Sequence, residues 1–169
     1  MSPVSASDPD WTREAPRRWW DPSRRLLRTV RAHQALQNRR GLGIRAKWIS
    51  LRHQFWSLIA QAEVPLATRI GGGLMLPHPT GIVIHPKVSI GPNCMIFQNV
   101  NLGSNRGRGG VPVIGGHVDI GPGACVLGGV TIGDHAVIGA NAVVLQDVPA
   151  GAVAVGVPAR ILAGRKQEG

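Results

Sequence analysis

The chain has 169 residues, 43% hydrophobic and 17% charged, with 23 Gly, 13 Pro, no Tyr and a net charge of +10. That length allows one domain plus an appendage, and the Gly and Pro content suits short strands and tight turns better than a helical bundle. No apolar run reaches the roughly 18 residues of a membrane span, and the first twenty residues (MSPVSASDPDWTREAPRRWW) lack the apolar core of an export signal, so a cytoplasmic protein is expected.

Charge divides the chain. Residues 1–69 hold 13 of the 19 Lys and Arg and 5 of the 9 Asp and Glu, a net of +8, which leaves +2 for the rest. Residues 1–62 therefore read as a basic, Trp-rich helical region. Pro3, Pro9, Pro16 and Pro22 interrupt any helix in the first 22 residues, which are expected to be loosely structured. Ser23 can cap a helix running to Gln37, with Leu26, Leu27 and Val30 as its apolar stripe. Gly41 and Gly43 mark a break. A second helix is predicted from Ala46 to Ala62, where Trp48, Leu51, Phe55, Ile59 and Ala62 follow helical spacing. All five tryptophans precede residue 57, mixed with arginines as in RRWW at 17–20. Such a segment fits a cap packed on the main domain, an anionic membrane surface, or nucleic acid. Packing is the favoured expectation, with peripheral binding at the inner membrane face second; no nucleic-acid module is found.

From Val64 the period changes to six. Val64, Ile70, Leu76 and Ile82 are in phase; after a two-residue shift come Ile84, Ile90, Ile96 and Leu102; beyond an interruption come Ile114, Ile120, Val126, Ile132, Ile138 and Val144. Small or β-branched residues recur four positions later, among them Thr68, Cys94, Val118, Ala136 and Val148. A helix needs period 3.6 and a half-exposed strand period 2. Fourteen positions at period six instead predict a parallel β-helix of three short strands per coil, with each aliphatic residue stacked 18 residues from its counterpart. Cys94 and Cys125 lie within the repeat, show neither zinc nor disulfide spacing, and are expected to be small buried thiols.

Four segments, GLMLPHPTGIVI (73–84), NVNLGS (99–104), IGANAVVLQDVP (138–149) and VGVPARIL (155–162), resemble the hexapeptide-repeat acyltransferases, and within them the serine acetyltransferase branch. The resemblance spans about residues 60 to 163. It implies a mainly β fold, a left-handed parallel β-helix over residues 63–163 with a protruding loop at 103–113 and a tail at 164–169, and a homotrimer using acetyl-CoA. It also implies that His78 is the general base that deprotonates an acceptor hydroxyl, with Glu63 orienting it. A carboxylate on one imidazole nitrogen would fix the tautomer and leave the other free to take a proton. For acetyl-CoA, it implies backbone contacts around Gly121, Gly139 and Ala140 to the pantetheine arm, and a nucleotide end lined by Gly156, Pro158 and Arg160.

The departures bear on the acceptor. Serine acetyltransferases usually carry Asp before the base, where Pro77 stands, and an Arg-His pair where Gly110 and Val111 stand. A polar site selects by leaving the wrong ligand's groups unpaired, so losing these contacts weakens serine recognition. Arg106 and Arg108, on the same loop, are candidate replacements for the carboxylate ligand. The loop's NRG pattern resembles exopolysaccharide acetyltransferases of the colanic-acid type, so a sugar hydroxyl is the preferred acceptor, with serine as the alternative. A non-enzymatic β-helical scaffold is a further alternative. His117 and His135, 18 residues apart, should stack on successive coils, but zinc catalysis normally takes three protein ligands and no metal is expected.

Overall fold

The computed structural model describes residues 4–36, 43–107 and 109–162. Helix α1 (Pro22–Leu36) opens with proline at its first turn, where the missing N–H costs nothing. The Asp21 carboxylate, rather than Ser23, caps this helix by accepting from the Arg24 N–H at 3.4 Å. The helix ends at Leu36; Gln37 and Gly41 lie outside the described residues. Helix α2 (Gly43–Ala60) begins and ends earlier than its apolar pattern predicts. Thr29 of α1 and His53 of α2 join the pair through a 2.8 Å Oγ1–Nδ1 contact.

Thirteen short strands are described after the helices. The first seven are β1 (Arg69–Ile70), β2 (Val83–Ile84), β3 (Ser89–Ile90), β4 (Met95–Ile96), β5 (Asn101–Gly103), β6 (Val113–Ile114) and β7 (Asp119–Ile120). Then come β8 (Cys125–Leu127), β9 (Thr131–Ile132), β10 (Val137–Ile138), β11 (Val143–Val144), β12 (Val153–Val155) and β13 (Arg160–Leu162). Sheet I stacks β1-β3-β6-β9, sheet II β13-β12-β10-β7-β4, and sheet III β11-β8-β5-β2. All pairings are parallel except β12–β13, which closes the last coil with an antiparallel strand. The chain winds repeatedly from I to II to III, so each coil has a I/II, a II/III and a III/I corner.

The six-residue period has a direct physical meaning. All fourteen stripe positions are buried, from Val64 to Val144, and so are Thr68, Cys94, Val118, Ala136 and Val148 four residues on. Two inward residues per side fill the prism. The coils are less regular than a constant 18 residues. Val83 pairs with Asn101 and Val113 with Thr131, 18 apart. Arg69 pairs with Ser89 at 20, Ser89 with Val113 at 24, and Val137 with Val153 at 16. Insertions leave the sheets intact because the extra residues are expelled at corners. Those corners need a left-handed backbone: Gly81, Asn99, Gly123 and Asn141 have φ of 74, 57, 70 and 55° along the II/III edge.

From Ser5 onward the N-terminal segment is not loosely structured. Ser5 to Asp10 straps the I/II corner, where Asn93 Nδ2 donates to the carbonyls of Ser5 and Asp8 at 2.7 Å and Asn93 Oδ1 accepts from the Asp10 N–H at 2.8 Å. A 3-10 turn at Trp11–Glu14 follows. Its Glu14 is buried, pairs with Arg31 at 2.6 Å and accepts from the Leu74 N–H at 3.0 Å. Arg31 in turn donates to the Ile70 and Gly71 carbonyls, both at 2.6 Å. One ion pair thus ties strap, α1 and first coil together.

The helical cap packs only in part as expected. Leu26, Leu27 and Val30 of α1 are buried, but the α2 stripe faces outward: Trp48, Leu51 and Phe55 are half exposed or more. Among the tryptophans only Trp56 packs against the core. Cys94 is buried, and its burial pushes the thiol up to about 12. Cys125, contrary to expectation, lies partly exposed on the outer face of β8.

Candidate active site

His78 lies at the first turn of the II/III corner. Just before it Met75 bridges Met95, a spacing of 20; just after it Asn99 donates its N–H to the Thr80 carbonyl at 2.9 Å, which sets Asn99 opposite Gly81, a spacing of 18. The two-residue phase shift seen in the sequence is therefore localised between Leu76 and Thr80, so that Pro77-His78-Pro79 occupies the place that Phe97 alone fills one coil on. The surplus chain leaves the prism there. His78 is exposed as a result, and its flanking prolines restrict the backbone that carries it.

Down the same corner the ladder continues: Gly123 donates to Gln98 at 2.9 Å and Asn141 to Pro122 at 2.8 Å. Gly121, Gly139 and Ala140 belong to this edge. The N–H groups of Gly121 and Gly139 are used by the ladder, bonding Ile138 and Ala154 at 2.8 Å, whereas the Ala140 N–H has no ladder partner among the described residues. A side chain at Gly121 would meet the Ala140 nitrogen at 2.7 Å, so glycine there lets the next coil come close. Gly156, Pro158 and Arg160 are exposed at the far end of the edge. One corner thus carries His78 at one end and every residue expected around acetyl-CoA along the rest.

Of the other expected residues Pro77 lies at this corner, whereas Glu63, Arg106 and Val111 do not. Glu63 is exposed beside β2, where its backbone bridges Val83, and no hydrogen bond or ion pair joins it to His78 among the described residues. The loop between β5 and β6 leaves from the III/I corner. It holds exposed Arg106, and Val111 packs against the core; Arg108 lies outside the described residues. Within one chain, then, sheet III separates the loop from the His78 edge.

His117 and His135 do stack on successive coils, at the I/II corner, with Nδ1 atoms 2.9 Å apart. Burial chiefly, and His135 in part, holds His117 below the ordinary imidazole range despite the nearby Asp119. No cluster of three His, Cys, Asp or Glu with metal-binding geometry occurs among the described residues.

Sequence reasoning overlooked what lies against the residues flanking His78. Two cavities, of about 240 and 490 Å³, open between the N-terminal segment and this corner. Both are lined by Arg17, Asp21, Ser23, Arg24 and Pro77; the larger adds Arg18, Trp20, Pro79 and Thr80. The RRWW cluster was the available signal, but sequence alone gives no way to fold it back onto residue 77.

Residues 112–146 match the family described as bacterial transferase hexapeptide (six repeats). The serine acetyltransferase of Escherichia coli strain K12 is 44% identical over 122 residues, covering 71% of this chain and 44% of that protein. A soybean serine acetyltransferase complexed with serine aligns with a TM-score of 0.71 at 35% identity, over 83% of this chain and 57% of that one. The Brucella abortus serine acetyltransferase in complex with coenzyme A gives 0.73 at 32%, over 85% and 56%. Residues 112–146 thus carry the repeats of the hexapeptide transferase family, and these relatives are serine acetyltransferases. The chain spans less than half the length of the curated relatives it matches. These relatives support the serine acetyltransferase branch of the expected resemblance and lend nothing to its exopolysaccharide side.

Proposed function

We propose that the chain is an acetyl-CoA-dependent O-acetyltransferase with His78 as general base. Its imidazole takes the proton from the acceptor hydroxyl, the oxygen attacks the thioester carbonyl, and the coenzyme A thiolate leaves and is protonated by the imidazolium. The observation that carries this reading is the shared II/III corner: His78 heads the edge along which Gly121, Ala140 and Gly156 lie. Pantetheine is a chain of amides, and the Ala140 N–H left out of the ladder suits it. Arg160 suits a phosphate at the nucleotide end.

L-Serine is the acceptor that the relatives favour. Pro77 and Val111 stand where the serine contacts of that family are expected, and this keeps a sugar hydroxyl as the second reading. Coenzyme A release by the full chain with acetyl-CoA and either L-serine or sugar acceptors tests both. Release that depends on acceptor and on His78 supports the reading, and none with any acceptor contradicts it.

The assembly belongs to the same proposal. The coil winds left-handed and three chains associate, so that the loop at 103–113 of one chain reaches the His78 edge of another. The separation of loop and His78 within one chain supports this. The protein acts in the cytoplasm, and the outward stripe of α2 holds it at an anionic membrane surface. No helix among the described residues is long and apolar enough to cross a membrane. α2 has no acidic residue, and Arg45, Lys47 and Arg52 accompany its exposed Ile44, Trp48, Leu51, Phe55 and Leu58.

A further inference from the structure

We infer that the cleft between the N-terminal segment and the His78 corner is an anion subsite, and that Arg17 and Arg18 bind a carboxylate or phosphate carried by the acceptor. This rests on the acetyltransferase reading only for calling the bound molecule the acceptor. The smaller cavity meets the β-helix at Leu74 to Pro77, before His78, and the larger at Pro77, Pro79 and Thr80, on either side of it in the chain. A molecule seated there lies against the residues that flank the histidine in the chain.

The lining is strongly basic. Arg13, Arg17, Arg18 and Arg24 face it against one carboxylate, Asp21. Asp21 is already engaged: Arg24 pairs with it at 3.1 Å, and the Arg17 and Arg24 backbone N–H groups donate to it. The guanidinium groups of Arg17 and Arg18 make no hydrogen bond or ion pair among the described residues, and Arg13 Nε is buried without a partner. Arg17 lines both cavities, Arg13 the smaller and Arg18 the larger. A guanidinium offers a planar fork that matches a carboxylate or a phosphate in two parallel hydrogen bonds. Trp20 and Ile59 give the larger cavity an apolar wall, against which the carbon skeleton of the acceptor packs. The cleft also answers the missing family contacts: with Gly110 and Val111 on the loop, the positive charge for the acceptor comes from the other end of the chain.

The test is calorimetric titration of the full chain with L-serine, with UDP-glucose as a phosphate probe, and with methyl glucoside as an uncharged control. At least one anionic probe is expected to bind and methyl glucoside is not. Arg17→Ala/Arg18→Ala should weaken anion binding at least tenfold, each single variant taking part of the loss, with acetyl-CoA affinity unchanged. In turnover the same variants should raise the acceptor KM and spare kcat. Binding of UDP-glucose alone identifies phosphate as the group read; binding of L-serine alone identifies carboxylate. Failure of both anions to bind, or undiminished binding in the variants, overturns the inference. If anions bind but no acetyl transfer occurs, the subsite stands and the acetyltransferase reading falls.

Discussion

The Asn99 N–H meets the Thr80 carbonyl at 2.9 Å, across a coil two residues shorter than the one that pairs Met75 with Met95. Between those two contacts the chain must shed two residues, and it sheds them at His78. A catalytic side chain on a β-helix faces a problem of access, since inward positions are sealed and outward ones lie flat against a sheet. Surplus residues at a corner solve it without breaking either neighbouring sheet.

The Glu14–Arg31 pair should carry much of the attachment of the N-terminal segment. Glu14→Ala leaves Arg31 without its carboxylate and the Leu74 N–H without its acceptor. Removing one partner of a buried pair typically costs about 3–5 kcal/mol. Urea unfolding should show a loss near the lower figure, because Arg31 keeps its bonds to the Ile70 and Gly71 carbonyls. A midpoint equal to that of the unsubstituted protein would show that the strap contributes nothing.

The stacked histidines should make stability depend on pH. Burial holds His117 below its ordinary value of 6.5 in the folded chain. The unfolded chain then binds more protons just below that value, so this contribution is complete above about pH 6.5 and is lost as pH falls through the folded value. Asparagine tolerates the left-handed corner, as Asn93 and Asn141 do, so His117→Asn should flatten the loss of stability between neutral and mildly acidic pH. His53, also lowered chiefly by burial, contributes in the same direction in both proteins. Burial raises Asp119, which acts oppositely and in a lower window. Identical pH profiles would exclude the pair as a source of the dependence.

How much of this was legible in the residues differs by region. The core was, because a β-helix repeats one environment at fixed spacing, and every aliphatic residue of the six-residue stripe from Val64 to Val144 had to find it. The His78 corner was half legible: the phase shift showed in the spacing of Leu76, Ile82 and Ile84, but its meaning as an outward bulge needed the ladder. The strap was not legible. Asn93 binds the backbone of Ser5 and Asp8, and backbone acceptors leave no mark in a sequence. The α2 stripe misled, because helical spacing of Trp48, Leu51 and Phe55 says that one face is apolar and not what covers it.

That exposed face should be sensitive to lipid. The full chain is expected to sediment with phosphatidylserine vesicles and not with neutral ones, each basic residue near the surface adding about 1 kcal/mol. Trp48→Ser/Phe55→Ser should reduce the bound fraction several-fold. Equal sedimentation with neutral vesicles, or no effect of the substitutions, would remove the membrane role.

Glu63 should matter less than the base. With no hydrogen bond to His78 in one chain, Glu63→Gln is expected to lower kcat about tenfold at most, well short of the effect of losing a general base. A loss as large as that of His78→Ala would mean that assembly or substrate brings the two side chains together.

His78 is the residue on which acetyl transfer should depend most. Acetyl transfer from acetyl-CoA by purified His78→Ala, with light scattering on the same sample, tests it most directly. The rate should fall about a hundred- to ten-thousand-fold while mass and fold stay unchanged; near-normal transfer by an intact assembly would contradict the role assigned to this corner.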